Sequence, residues 1–157
     1  MKPKVYIETS VISYLTARPS WDLLVAAHQQ ITHDWWDNRR LDFKLYTSQV
    51  VKSEASAGDP SAAAKRLQIL EEIELLDVLD EAAELADKLL SEGCLPKKAA
   101  EDALHIAIAT IHRMNYLLTW NCKHIANSER RPEIERVIRE NGYQPPIIST
   151  PEELIGE

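Results

Sequence analysis

The chain has 157 residues, of which 45% are hydrophobic and 27% charged, and its formal net charge is −7. This length predicts a single domain spanning residues 1–157, and the composition is that of an ordinary globular protein. The negative charge argues against a broadly basic surface for nucleic acid. It does not exclude a nucleic acid substrate at a site where a bound cation offsets acidic side chains.

The predicted compartment depends on the lengths of the apolar runs and on the spacing of the cysteines. No apolar run approaches the roughly 20 residues that span a bilayer, and Glu8 interrupts the first run, so no signal peptide is expected. Cys94 and Cys122 fit no zinc-binding spacing and are interpreted as free thiols. We therefore expect a cytoplasmic protein without a membrane segment.

The first structural element is a short strand followed by a helix. Val5, Tyr6 and Ile7 favour a buried strand, which Glu8 ends. A helical pattern follows, and Thr9 or Ser10 is predicted to cap it. Glu8 is thus placed at the carboxyl end of a strand, the edge at which open α/β sheets bind ligands.

The rest of the chain alternates short strands with helices. Further strands are predicted at 44–47, 73–78, 116–120 and 147–149. Helices are predicted at 22–40, 48–57, 60–71, 81–90, 97–114 and 132–140, and Ser48 is predicted to cap the second of these. This alternation predicts an α/β domain with a mostly parallel sheet.

The long helix at 22–40 has an apolar stripe at helical spacing. We expect that stripe to face the core and Trp36, which lies beside it, to protrude. The stripe consists of Leu24, Ala27, Ile31 and Trp35.

Four oxygen-bearing side chains fall at or just after predicted strand ends. Glu8 ends the first strand, Glu54 lies on an apolar helix face, Asp102 is near a helix N-terminus, and Asn121 follows the fourth strand. Considered individually, each of these residues has a purely structural explanation, as an acid at a helix terminus, a side chain that reaches water, or a turn residue. Together they predict one acidic cluster.

Such a cluster needs a cation or a shared proton. At about 4 Å and an effective dielectric near 20, each close carboxylate pair costs on the order of 4 kcal/mol. Oxygen ligands suit Mg²⁺ or Mn²⁺. A metal site that retains water is suited to phosphodiester hydrolysis.

Four segments of the chain, in this order, resemble a known family. Residues 5–10, 47–54, 101–107 and 117–121 look like the motifs of PIN-domain proteins, most closely the VapC-type toxin ribonucleases of type II toxin–antitoxin systems. Each motif is weakly specific alone, and the ordered set covers most of the chain from residue 3 to about 125.

The resemblance implies a three-layer α/β/α PIN-like fold with a mostly parallel central sheet. It implies a Mg²⁺- or Mn²⁺-dependent endoribonuclease that hydrolyses RNA by metal-activated water, dimerises and is inhibited by a cognate antitoxin. By position, Glu8, Glu54 and Asp102 would be catalytic metal ligands, and Asn121 a further catalytic residue. Candidates for contact with substrate or phosphate are Thr9, Ser10, Thr119 and His124.

Two positions depart from the family pattern. Glu8 replaces the more usual Asp and Asn121 replaces an acid, so the sequence leaves open one metal or two, and a catalytically weak protein. The main alternative is therefore an inactive PIN-like module that acts through antitoxin binding or dimerisation. A receiver-like or dehalogenase-like phosphate protein is disfavoured, because the first strand lacks paired acids.

His105 lies one helical turn after Asp102. The sequence allows it to touch substrate or to hold a carboxylate, but a buried histidine with satisfied hydrogen bonds is the favoured interpretation.

Overall fold

The structure is a computed structural model that describes residues 1–156, so the last residue of the predicted domain lies outside it. The strands are β1 (Lys4–Ile7), β2 (Lys44–Ser48), β3 (Glu74–Leu76), β4 (Tyr116–Leu118) and β5 (Ile147–Ser149). The helices are α1 (Thr9–Thr16), α2 (Leu23–Asn38), α3 (Gln49–Ala55), α4 (Pro60–Leu70), α5 (Asp80–Ser91), α6 (Ala100–Ile111) and α7 (Arg131–Glu140). Short 3₁₀ turns precede β2 and α6.

The five strands form one parallel sheet in the order β3-β2-β1-β4-β5. β1 is central, pairing Val5 with Leu45 on one side and with Tyr116 on the other. Because all strands run the same way, their carboxyl ends meet at a single edge. The predicted α/β fold with a parallel sheet is confirmed.

Helices cover both faces of the sheet. Val5, Tyr6 and Ile7 are all fully buried although successive strand residues point to opposite faces. Helices α2, α3 and α4 pack around α1, while α5 packs against α6 and α7. The arrangement is the predicted three-layer α/β/α architecture. None of the helices within residues 1–156 is long and apolar enough to cross a membrane.

Helix beginnings follow local side-chain chemistry. Asp22, Ser48 and Asp59 each accept a hydrogen bond from a backbone N–H in the first turn of the helix that follows, and Pro60 occupies the first turn of α4. The predicted cap at Ser48 is confirmed.

Helices α5, α6 and α7 end in the same backbone conformation. Each is followed by a residue with positive φ, namely Gly93, Arg113 and Gly142. Glycine adopts that conformation without steric cost, whereas Arg113 does so with a Cβ atom.

The predicted cap of α1 is wrong. Glu8 occupies the cap position, and no side chain there bonds the first turn. The hydroxyls of Thr9 and Ser10 donate instead to the carboxylates of Glu54 and Glu8. An ionised acceptor forms a stronger hydrogen bond than a neutral group, which favours this arrangement.

The predicted apolar face of α2 is correct only toward its end. Leu24 is 66% exposed, whereas Trp35, on the same face, is fully buried. Exposure falls along the helix, so its first turns contribute little to the core. Trp36 does not protrude as predicted, since it is 8% exposed with the Arg40 guanidinium 4.7 Å from the centroid of its ring.

Candidate metal centre

The carboxyl edge of the sheet brings together residues that are far apart in sequence. Glu8 follows β1, Ser48 ends β2 and Thr119 follows β4. The Glu8 N–H donates to the carbonyl of Leu118 at 3.1 Å, so the chain after β1 is fixed against the end of β4. The short strands therefore place these three side chains at one edge.

The Glu8 carboxylate is buried and held by two hydroxyls. Its Oε1 accepts hydrogen bonds from Ser10 Oγ at 2.5 Å and from Thr119 Oγ1 at 2.6 Å. The Ser10 hydroxyl also accepts from the backbone N–H of Trp120, and the Thr119 hydroxyl from that of Asn121. These bonds compensate for removing a carboxylate from water.

Glu54 reaches the same edge from α3. Its Oε1 accepts from Thr9 Oγ1 at 2.5 Å and from His105 Nε2 at 2.6 Å. Partial burial raises the pKa of the Glu54 carboxyl, but the hydrogen bond and charge of His105, with the hydrogen bond from Thr9, outweigh it and lower that pKa to about 2. Glu54 is therefore ionised at neutral pH.

His105 is fully buried on α6 and bonded at both ring nitrogens. Nδ1 lies 2.7 Å from the hydroxyl of Tyr6, and Nε2 contacts Glu54. Burial lowers the pKa of His105, yet its hydrogen bond to Glu54 and the charges of Glu8, Glu54 and Asp102 outweigh burial and raise it. His105 is thus a satisfied buried histidine that also holds a carboxylate, which combines two of the sequence interpretations.

Three side chains form a compact group of metal-binding type. One ligand atom each from Glu8, Glu54 and His105 lies within 4.8 Å of the others. The structure thus brings together two of the three predicted acids, with an imidazole beside them.

Among the described residues, Asp102 is not a member of that 4.8 Å group. Its Oδ2 lies 2.8 Å from Nδ1 of His124, and its charge contributes to raising the pKa of His105. Asn121 stabilises the same loop, because its Oδ1 accepts from the His124 backbone N–H at 3.0 Å. Asp102, Asn121 and His124 therefore form a second set of contacts beside the Glu8–Glu54 pair.

Several side chains at this edge were not predicted from sequence. Tyr6 was assigned only to an apolar strand, and Ser48 only to a helix cap. Glu101 is also near, because its hydrogen bond to Glu54 and the Glu54 charge raise the pKa of the Glu101 carboxyl. The available signal was a tyrosine in a fully apolar run, since a buried tyrosine hydroxyl usually needs a partner.

The fold is similar to that of VapC PIN-domain toxins, which the chain matches structurally over most of its length. No protein-family model and no curated protein matches the sequence. The resemblance inferred from the motifs is thus confirmed at the level of the fold.

Two solved structures represent this similarity. VapBC2 from Rickettsia felis, solved bound to a DNA fragment from their promoter, is 15% identical with a TM-score of 0.59, covering 94% of this chain and 98% of that chain. Mycobacterium tuberculosis VapC20, described as a sarcin-ricin loop cleaving toxin, is 16% identical with a TM-score of 0.61, covering 78% of this chain and 93% of that chain.

Proposed function

We propose that the protein is a metal-dependent endoribonuclease, the toxin component of a toxin–antitoxin pair. The observation that carries this proposal is the grouping of Glu8 and Glu54 at the carboxyl edge of a VapC-like sheet. Two carboxylates so close together favour a cation between them.

The residues present fit Mg²⁺ or Mn²⁺. The hydrogen bonds that Thr9, Ser10, His105 and Thr119 make to Glu54 and Glu8 engage Oε1, and a carboxylate has a second oxygen that can take a cation. Glu8, Glu54 and Asp102 would hold the metal, since hard cations prefer oxygen ligands. When bound, the ion would supply an activated water and charge stabilisation for phosphodiester hydrolysis.

The remaining side chains have proposed roles around that ion. Ser10 and Thr119 would keep Glu8 in place, and Thr9 would do so for Glu54. Asn121 orders the loop that carries His124, which would place the imidazole near substrate. Exposed lysines near this edge would contact RNA phosphates, namely Lys52, Lys97, Lys98 and Lys123.

The test is cleavage of RNA in Mg²⁺ or Mn²⁺. We expect Glu54→Gln and Asp102→Asn to lower the rate by at least about 100-fold, a range typical for removal of one group that stabilises developing charge. Glu84→Gln and Asp87→Asn make the same changes at exposed positions of α5 and serve as controls. Equal rates in all five proteins would rule out the proposal.

A second candidate is a PIN-like module that has lost cleavage and acts through protein partners. It is favoured by the position of Asp102 outside the 4.8 Å group and by Asn121 in place of an acid. Calorimetric titration with Mn²⁺ distinguishes the two, because a site that disappears in Asp102→Asn contradicts a purely structural role.

We also propose a homodimer and a cognate antitoxin as partners. Support comes from the exposed apolar side chains at the start of α2, where Trp21 is fully exposed and Leu23 is 88% exposed. Sedimentation equilibrium of the isolated chain tests the dimer, and a monomer at every concentration would contradict it.

A further inference from the structure

A buried line of hydrogen bonds leads from the middle of the sheet to Glu54. Ser48 Oγ lies 2.7 Å from the Tyr6 hydroxyl, which lies 2.7 Å from His105 Nδ1, and His105 Nε2 lies 2.6 Å from Glu54 Oε1. Ser48, Tyr6 and His105 are all fully buried. The line joins β2, β1, α6 and α3, so four elements fix one carboxylate.

The direction of the last bond follows from chemistry. An ionised carboxylate only accepts hydrogen bonds, so Nε2 of His105 must carry the proton that it shares with Glu54. This holds for the neutral and for the charged ring. Nε2 therefore presents no lone pair to a cation while the bond to Glu54 persists.

The Tyr6 hydroxyl fits both states of the ring. It donates to Nδ1 when the ring is neutral, and it accepts from Nδ1 and donates to Ser48 when the ring is charged. Burial, the largest cause, raises the pKa of Tyr6 far above its ordinary value, so the hydroxyl keeps its proton. Ser48 is itself fixed, because it accepts from the Val51 backbone N–H.

We propose that His105 is a positioning residue for Glu54, that Tyr6 and Ser48 orient its ring, and that His105 is not itself a metal ligand. The inference rests on the proposed function in one respect, that Glu54 binds the metal. Holding the carboxylate in one orientation before the ion arrives removes an ordering cost from binding. The line thus raises metal affinity without touching the metal.

The test is Mn²⁺ affinity, measured by calorimetry on the full chain. Tyr6→Phe keeps the shape of the ring and removes the hydroxyl, and we expect it to weaken Mn²⁺ binding about tenfold. Tyr116→Phe makes the same change in the neighbouring strand, at the opposite end of the sheet, and should leave affinity unchanged. Equal affinity for Tyr6→Phe and the wild type would overturn the role of Tyr6.

Substitutions at His105 test the same idea independently of how well Tyr6→Phe folds. A glutamine side chain can still donate an N–H to Glu54, whereas leucine cannot. We therefore expect His105→Gln to retain more Mn²⁺ affinity than His105→Leu. Equal losses in both variants, or no loss in either, would contradict positioning by hydrogen bond.

A spectroscopic measurement separates positioning from ligation. Electron spin echo spectroscopy of bound Mn²⁺ detects a directly coordinated imidazole nitrogen through its magnetic coupling. We expect no such nitrogen coupling in the wild type. A coupling that disappears in His105→Gln would show that His105 is a ligand and would overturn the proposal.

One further variant separates this inference from the proposed function. If Glu54→Gln binds Mn²⁺ as the wild type does, or the wild type binds none, the proposed metal site fails and the inference with it. If Glu54→Gln loses binding while Tyr6→Phe and His105→Leu retain it, only the inference fails.

Discussion

Hydroxyl groups help to hold the two central carboxylates in place. Thr119 is one of them, and its Oγ1 donates to Glu8 and accepts from the Asn121 backbone N–H at 2.9 Å. It is also fully buried, and the Glu8 carboxylate that it holds is buried as well. A group of this kind is costly to remove.

Thr119→Val should therefore destabilise the protein. We expect the free energy of unfolding to fall by about 1–3 kcal/mol, the cost of leaving a buried polar group unpaired. Urea unfolding measures the change. Thr110→Val is the matched control, because the buried Thr110 hydroxyl donates to the Ile106 carbonyl of its own helix. A loss no larger at Thr119 than at Thr110 would contradict this account.

At the scale of elements, neighbouring side chains determine where a helix begins, but they do not determine where the helix lies in the fold. Asp22 accepts from the Val25 N–H at 3.0 Å, a bond that needs nothing beyond the first turn of α2. The start of α2 is also where Leu23 and Leu24 are exposed, so little tertiary packing supports it. The cap therefore provides much of the local stability.

Asp22→Ala should lower the free energy of unfolding by about 1 kcal/mol, because one N–H of the first turn loses its acceptor. Asp37→Ala, near the other end of α2, should have no such cost, since a negative charge there opposes the helix dipole. Thermal unfolding of the two variants gives the comparison. The prediction fails if the two substitutions have the same effect.

At the scale of the whole molecule, the Glu54–His105 pair links stability to pH. The pKa of Glu54 is lowered from 4.5 to about 2, so its contribution to stability is present above 4.5 and is lost as the pH falls toward 2. The pKa of His105 is raised from 6.5, so its contribution is present below 6.5 and is lost as the pH rises through the raised value. Both contributions coexist between pH 4.5 and 6.5.

We therefore expect the stability advantage of the metal-free wild type over Glu54→Gln to be greatest between pH 4.5 and 6.5. Urea unfolding in the presence of a chelator, at pH values inside and on both sides of that range, measures it. An advantage that is independent of pH would show that the pair is not ionised in the folded state.

The whole chain is proposed to unfold as one domain. The core runs continuously from β1 to α7, and it includes Val5, Trp35, Leu89, Ile106 and Ile138. A single hydrophobic core usually gives one cooperative transition.

The sequence by itself determined the features that depend on neighbouring residues. The strand at 5–7, the helix cap at Ser48 and the alternation that gives a parallel sheet follow from local patterns. The grouping of Glu8 with Glu54 could also be predicted, because parallel strands bring their carboxyl ends to one edge.

Only the tertiary structure decided which partner each polar group takes. The bonds from Thr9 to Glu54, from Tyr6 to His105 and from His105 to Glu54 span 45, 99 and 51 residues of sequence. The bond between Asp102 and His124 is likewise absent from any local pattern. Hydrogen bonds are short and directional, so they depend on the packing of distant elements, which sequence periodicity does not specify.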